Sequence, residues 1–159
     1  MKDEYPFKAF VNDDSKVLIL GSYPGAKSRQ SDFYYADNKN RFWKILANVF
    51  DEQSPESTEE KKAFLKKHKI ALWDVCKEAE VKGSNDKTLK CSKENNINKL
   101  LYSYPNIQCI MCNGGKAYKL YKQFNKDNSV KVYRVYSSSS AANKYDKERL
   151  KQWKKYLDI

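Results

Sequence analysis

Apolar residues recur along this chain in two alternating rhythms. Val17-Leu-Ile-Leu20 is an unbroken aliphatic run closed by Gly21-Ser-Tyr-Pro-Gly25, a pattern that predicts a buried strand feeding a turn. Phe42, Ile45, Leu46, Val49 and Phe50 then repeat at helical spacing and predict an amphipathic helix over residues 41–50, with Asn40 as its N-cap. Ser57 and Glu60 form a capping-box pattern ahead of a lysine-rich helix running to about His68. Ile70-Ala-Leu-Trp73 reads as the second strand.

Residues 77–92 are polar, with Gly83-Ser-Asn-Asp86 at their middle, and predict a long surface loop. Beyond them Ile97, Leu100, Leu101 and Tyr104 mark a helix stopped near Pro105, and residues 107–112 make a third strand. Ala117, Leu120, Tyr121 and Phe124 mark a further helix, residues 130–135 a fourth strand, and Leu150, Trp153 and Leu157 the apolar face of a last helix. Strands alternating with helices predict an α/β fold: a three-layer αβα domain spanning residues 1–159, with a four-stranded, mostly parallel sheet. Such sheets bind ligands at the carboxyl ends of their strands, so the loops after Leu20, Trp73, Cys112 and Val135 are where chemistry is expected.

Charge narrows the partner. Thirty-one Lys and Arg against 20 Asp and Glu give a formal charge of +11, spread along the chain rather than gathered in a tail. That surplus suits a protein that tracks phosphates by releasing counterions, and it places nucleic acid ahead of a membrane surface or simple solubility. The 12 Tyr, 7 Phe and 3 Trp are plentiful for so polar a chain and can stack bases as well as fill a core. No apolar run approaches the roughly 20 residues of a membrane span, and Met1-Lys2-Asp3-Glu4 does not open a signal peptide, so a cytoplasmic location is expected.

The cysteines include one C-x-x-C pair, Cys109 and Cys112. It lies in a strand-like run, where an offset of three sends the side chains to opposite faces and prevents them from chelating one ion. The single histidine, His68, sits among lysines on a face expected to be exposed.

Each strand-end loop holds small polar or Gly residues: Gly21-Ser-Tyr-Pro-Gly25, Asp74, Asn113-Gly-Gly115 and Ser137 to Ser140. Together with Tyr34-Tyr35, Asn40-Arg-Phe-Trp43 and Leu72-Trp-Asp-Val75, these segments resemble the hypoxanthine-DNA glycosylase branch of the uracil-DNA glycosylase superfamily. The resemblance runs from about Phe10 to Lys144. Its most specific part is the Gly-Ser-x-Pro-Gly turn with Tyr-Tyr nine residues on and Asn-x-Phe-Trp beyond. Ser137 and Ala141 stand where this family usually carries prolines, which predicts a looser final loop.

The resemblance implies a monofunctional glycosylase that flips a deaminated base, hypoxanthine first and uracil second, out of single- or double-stranded DNA. By it, Tyr23, Tyr34 and Tyr35 line or stack on the base, Asn113 bonds its edge, and Gly21, Ser22, Pro24 and Gly25 form the active-site loop. Ser138, Ser139, Ser140 and Asn143 press the DNA backbone or probe the groove. Asn40 positions a water against the anomeric carbon; because Asn is no general base near neutral pH, the reaction leans on an oxocarbenium-like transition state stabilised by the DNA phosphates. The resemblance, whose third strand-end motif runs Asn113-Gly-Gly-Lys-Ala117, implies no amine nucleophile, no metal or cofactor is called for, and a monomer is expected.

Plainer readings accompany these. Asn40 can serve only as a helix cap, Tyr34-Tyr35 as packing, and Asp74 as a structural acceptor for loop amides, while Asp37 is the alternative water-activating base. Gly21-Ser-Tyr-Pro-Gly-Ala-Lys-Ser28 nearly spells a P-loop, as in a nucleotide hydrolase, but Ala26 stands where the motif needs Gly and the helical pattern begins only near Arg41. A DNA-binding protein that kept the fold and lost catalysis is the remaining alternative.

Overall fold

The computed structural model describes residues 8–24, 28, 33–80, 89–125 and 130–158. Its centre is a sheet of four parallel strands: β1 (Val17–Gly21), β2 (Ile70–Asp74), β5 (Cys109–Asn113) and β6 (Lys131–Val135), in the order β2-β1-β5-β6. Every residue of β1 is buried, because this strand lies inside the sheet and is covered on both faces. Its Val, Leu and Ile side chains each contribute roughly 1.5–3 kcal/mol by leaving water.

The alternation of side chains along the strands separates two apolar layers. On one face Val17, Ile19, Leu72 and Met111 pack with Phe42 and Leu46 of α1 (Phe42–Phe50), Phe64 of α2 (Thr58–Lys67) and Trp153 of α5 (Asp146–Tyr156). On the other, Leu18, Leu20, Ala71 and Ile110 pack with Ile97 of α3 (Ile97–Ser103) and Leu120 and Tyr121 of α4 (Gly115–Phe124). The expected three-layer αβα arrangement is therefore present. Cys109 belongs to the first layer and Cys112 to the second, so the C-x-x-C pair does divide across the sheet. Burial pushes the Cys112 thiol up to about 12.

The capping box of α2 forms as its sequence predicts: Ser57 Oγ accepts the Glu60 N–H at 3.1 Å and bonds the Glu60 carboxylate at 3.2 Å. Asn96 caps α3 in the same manner through the Lys99 N–H at 3.0 Å. At the sheet edge, Phe10 exchanges two 2.9 Å backbone hydrogen bonds with Leu72, which covers part of the free side of β2.

Two sequence expectations are corrected. The polar stretch after Lys77 is not simply a loop: β3 (Cys76–Glu80) and β4 (Lys90–Glu94) pair antiparallel as a separate two-stranded sheet, with Cys76 and Cys91 joined in a disulfide. A covalent link here stands in for the apolar face that marks most strands, which is why hydrophobic pattern does not reveal it. Gly83-Ser-Asn-Asp86 lies outside the described residues. His68 is not an exposed bystander; its ring stacks on Phe50 at 3.8 Å and its Nε2 meets the Glu52 carboxylate, whose other oxygen receives Lys67 Nζ at 2.9 Å. The helix ends at Lys67 and turns His68 back toward Phe50, a contact that local polarity does not report.

Candidate active site at the carboxyl edge of the sheet

β1 leads outward to β2 on one side, while β5 and β6 lie on its other side, so the strand order reverses between β1 and β5. The carboxyl ends at such a switch point splay their loops apart and leave a crevice. Gly21 is paired with Asp74, and Asn113 with Val135, so all four strands end level with one another and deliver their loops to this crevice.

The loop after β1 is sewn to the turn after β2. Val75 N–H donates to the Gly21 carbonyl and Cys76 N–H to the Ser22 carbonyl, both at 2.9 Å. Ser22 and Pro24 are buried and Tyr23 is half-buried against the second apolar layer. Gly21 has to be glycine: a Cβ there would overlap Asp74 Oδ1 and come within 3.2 Å of the Tyr35 hydroxyl. Asp74 is itself buried, and the turn that carries it is clamped by Asn95, whose Nδ2 donates to the Asp74 carbonyl at 2.8 Å. Asp74 thus forms the wall of the crevice where β1 and β2 end. Gly25 lies outside the described residues. The Ser28 hydroxyl accepts the Ala36 N–H at 2.9 Å and the residue is buried, so it is not presented to a magnesium ion as a P-loop serine would be.

The two tyrosines part ways. Tyr34 is only 3 % exposed, belongs to the first apolar layer and donates its hydroxyl to the Lys8 carbonyl at 3.0 Å. It fills core rather than offering a face to a base, which corrects the expectation for that position. Tyr35 adopts a left-handed backbone (φ 53°), which for a bulky residue costs about 1–3 kcal/mol and persists only where the surroundings dictate it. Here they do: Trp43 Nε1 donates to the carbonyls of Tyr34 and Tyr35 at 3.3 and 3.2 Å, and the Tyr35 ring stacks on Phe42 at 3.9 Å. The result turns the Tyr35 hydroxyl toward Gly21.

Asn40 precedes α1. The structure assigns the N-cap position to Arg41, yet Asn40 Oδ1 accepts the Phe42 N–H at 3.0 Å, so the asparagine does satisfy a helix-end donor. Asp37 accepts the Lys39 N–H at 3.0 Å through Oδ1 and the Asn40 N–H at 2.9 Å through its carbonyl, closing the turn that presents Asn40.

The final loop crosses over to meet both. Ser138 is fully buried, which corrects its expected place against the DNA backbone: its carbonyl accepts the Arg41 N–H at 2.9 Å, while its own N–H donates to Asn113 Oδ1 at 2.8 Å. Asn113 Nδ2 returns a bond to Ser138 Oγ at 2.9 Å. Arg41, the neighbour of Asn40, is therefore linked to Asn113 and the serine loop through one residue. Gly114 follows with φ 99°, a conformation open to glycine, and a Cβ there would press on the Ser137 Cβ at 3.0 Å.

The serine loop is not loose, despite lacking prolines. Arg149 of α5 is fully buried and donates Nη1 to the carbonyls of Ser137 and Ser139 at 2.9 and 3.3 Å. Its Nη2 donates to Asn143 Oδ1 at 3.0 Å and pairs with Asp146, which also takes Arg41 Nη1 at 3.2 Å. Ser139 Oγ accepts the Ala141 N–H at 3.1 Å, turning residues 140–145 into a 3-10 helix. The arginine supplies by hydrogen bonding the rigidity that proline would supply through its ring. Sequence reading missed Arg149; a lone Arg on the apolar side of a lysine-rich helix is the signal that marks it. Of the remaining loop positions, Ser139 and Asn143 are half-exposed and Ser140 is exposed.

Among the described residues no group of three or more His, Cys, Asp or Glu is placed to hold a metal ion, and no helix is long and apolar enough to cross a membrane. The chain is 30% identical to a hypoxanthine DNA glycosylase of Methanosarcina acetivorans over 148 residues, covering 92% of this chain and 93% of the relative. A hypoxanthine DNA glycosylase of Methanosarcina barkeri is 29% identical over the same shares. A solution NMR structure from Methanosarcina acetivorans, solved as a candidate uracil DNA glycosylase, superposes with a TM-score of 0.84 at 29% identity, over 95% of this chain and 94% of that one. The sequence profile of the uracil DNA glycosylase superfamily matches residues 8–159, and the chain belongs to that superfamily.

Proposed function

We propose that this chain is a monofunctional DNA glycosylase that hydrolyses the N-glycosidic bond of a deaminated base, hypoxanthine in first place and uracil in second. The observation that supports the reading is that Ser138 bonds both Asn113 and the Arg41 N–H next to Asn40, while Asn40 and Tyr35 both contact Phe42. The two relatives named as hypoxanthine DNA glycosylases support the base preference.

In this reading the flipped base enters between the β1 loop and Asn113. Tyr35, backed on one side by Phe42, gives its other face to the base, and Tyr23 with Ser22 and Pro24 closes the pocket beneath it. Asn113 turns one amide atom from Ser138 to the base edge. Asn40 uses the second lone pair of Oδ1 to hold a water against the anomeric carbon, while the first stays on the Phe42 N–H. An amide cannot take the water's proton near neutral pH, so bond breaking runs ahead of water attack. The positive charge that develops on the sugar is stabilised by the DNA phosphates. Ser139, Ser140 and Asn143, on the loop braced by Arg149, face the backbone beside the lesion. The enzyme works as a single domain and a monomer, needs no cofactor, and leaves an abasic site uncut.

Duplexes carrying deoxyinosine, uracil or xanthine, incubated with the protein and then cleaved with alkali, test the proposal. Strand breaks appearing only after alkali, most abundantly for deoxyinosine, are expected; absence of an abasic product from all three sinks the enzymatic reading.

A further inference from the structure

Among the described residues three large aromatic or apolar side chains stand in solvent: Tyr102, Tyr136 and Tyr145. Two of them have found each other. The rings of Tyr136 and Tyr145 stack at 5.0 Å with an interplanar angle of 23°, although the residues are 37 % and 40 % exposed. Tyr136 directly follows β6, and Tyr145 ends the 3-10 helix of the serine loop, so the pair flanks the loop expected to face DNA.

Both rings are mounted on fixed backbone. Tyr136 N–H donates to Gln152 Oε1 at 2.7 Å and its carbonyl accepts from Nε1 of the buried Trp153 at 2.9 Å. The turn carrying Tyr145 is held from both sides by Arg149, through Asn143 and Asp146. Lys144 holds its ammonium over the Tyr145 ring, 5.2 Å from its centroid, so a phosphate-seeking cation caps Tyr145 and Tyr136 supplies the outer ring face of the pair. A rigid, water-exposed aromatic face next to a lysine matches the way proteins hold single-stranded nucleic acid: every base offers a π-face, and the neighbouring cation follows the backbone. Little ordering cost falls on the protein, because neither backbone segment has to be immobilised on binding.

We propose that Tyr136 and Tyr145 form a stacking platform for an unpaired nucleobase of the DNA strand next to the flipped nucleotide, with Lys144 on the adjoining phosphate. The platform rests on the reading of this edge as the DNA-facing one. It gives the protein a reason to favour single-stranded or locally unpaired DNA over a perfect duplex, and it lies outside the pocket that would receive the damaged base.

A single-stranded oligodeoxynucleotide containing 2-aminopurine tests it, since that base loses fluorescence when it stacks on an aromatic ring. Wild-type protein is expected to quench the probe. Tyr136→Leu/Tyr145→Leu is expected to remove the quenching and to weaken binding of the same probe about tenfold or more, while Tyr136→Phe/Tyr145→Phe keeps both. Should the leucine pair fail to fold, as judged by circular dichroism, Tyr145→Ser on the exposed turn carries the same expectation. Quenching and affinity that survive loss of the rings overturn the platform and leave the pair as packing or as a contact for a protein partner. Excision from the deoxyinosine, uracil and xanthine duplexes is read separately: quenching without excision from any of them keeps the platform and removes the glycosylase reading, whereas excision with ring-independent quenching does the reverse.

Discussion

Asn113 and Ser138, 25 positions apart, exchange two hydrogen bonds, Nδ2 to Oγ at 2.9 Å and backbone N–H to Oδ1 at 2.8 Å. One asparagine amide is thereby both latch for the final loop and candidate reader of the base. The two duties separate by mutation. Ser138→Ala removes one bond and leaves the backbone N–H on Oδ1; Asn113→Ala removes both and strands that buried N–H, at about 1–3 kcal/mol. Both variants are expected to lose activity, and only Asn113→Ala should change the ratio of kcat/KM on deoxyinosine to that on uracil. An unchanged ratio in both would assign Asn113 to the latch alone.

Asn40 divides in the same way. Its Oδ1 serves the Phe42 N–H, so Asn40→Ala should lower stability by about 0.5–2 kcal/mol as well as abolishing most turnover. Asn40→Asp retains a capping oxygen and adds a carboxylate where a water is expected, so it should fold as well as the parent and keep activity. Thermal unfolding beside single-turnover rates checks both. A variant that keeps full turnover without any oxygen at this position would reduce Asn40 to a cap.

Gly21→Ala is the smallest change that should silence the site. The added methyl collides with Oδ1 of the buried Asp74 and comes within 3.2 Å of the Tyr35 hydroxyl. An overpacked contact of this kind costs about 1–3 kcal/mol. We expect a folded protein whose activity falls far more than its DNA affinity, measured by excision and by fluorescence anisotropy.

Arg149→Lys keeps the charge and loses the planar fork that reaches Ser137, Ser139, Asn143 and Asp146 together. Hydrogen bonds to a charged group contribute about 1.5–3 kcal/mol each, so the substitution should lower the melting temperature clearly and expose residues 137–145 to proteases. Limited proteolysis with mass mapping of the first cut gives the answer; a first cut elsewhere would show that the arginine does not hold this loop.

Much of this was legible because pattern and topology agree. The runs ending at Leu20, Trp73, Cys112 and Val135 are strands in the structure, and their loops meet because parallel strands end on one side. What escaped reading depended on contacts between distant residues. Tyr34 and Tyr35 are chemically identical neighbours, and a left-handed turn fixed by Trp43 decides that one is core and the other faces Gly21. The β3–β4 pair escaped because a disulfide, not an apolar stripe, marks it, and Arg149 because its partners are mostly backbone carbonyls and a loop asparagine, which leave no trace in composition.

Glu52 provides a pH-dependent check on the packing of α1 against the end of α2. Lys67, first, and then His68 hold its carboxyl below the ordinary value of 4.5. A group depressed in the folded state stabilises the fold above its unfolded value and loses that contribution as pH falls through the folded one. The difference in melting temperature between wild type and Glu52→Gln should therefore shrink as pH drops below 4.5. Salt should shrink it too, because the carboxylate is partly exposed. Melting curves taken down the acid limb at low and high salt decide the matter: a difference that persists unchanged below that value would mean that Glu52 stabilises by its shape and hydrogen bonding rather than by its charge.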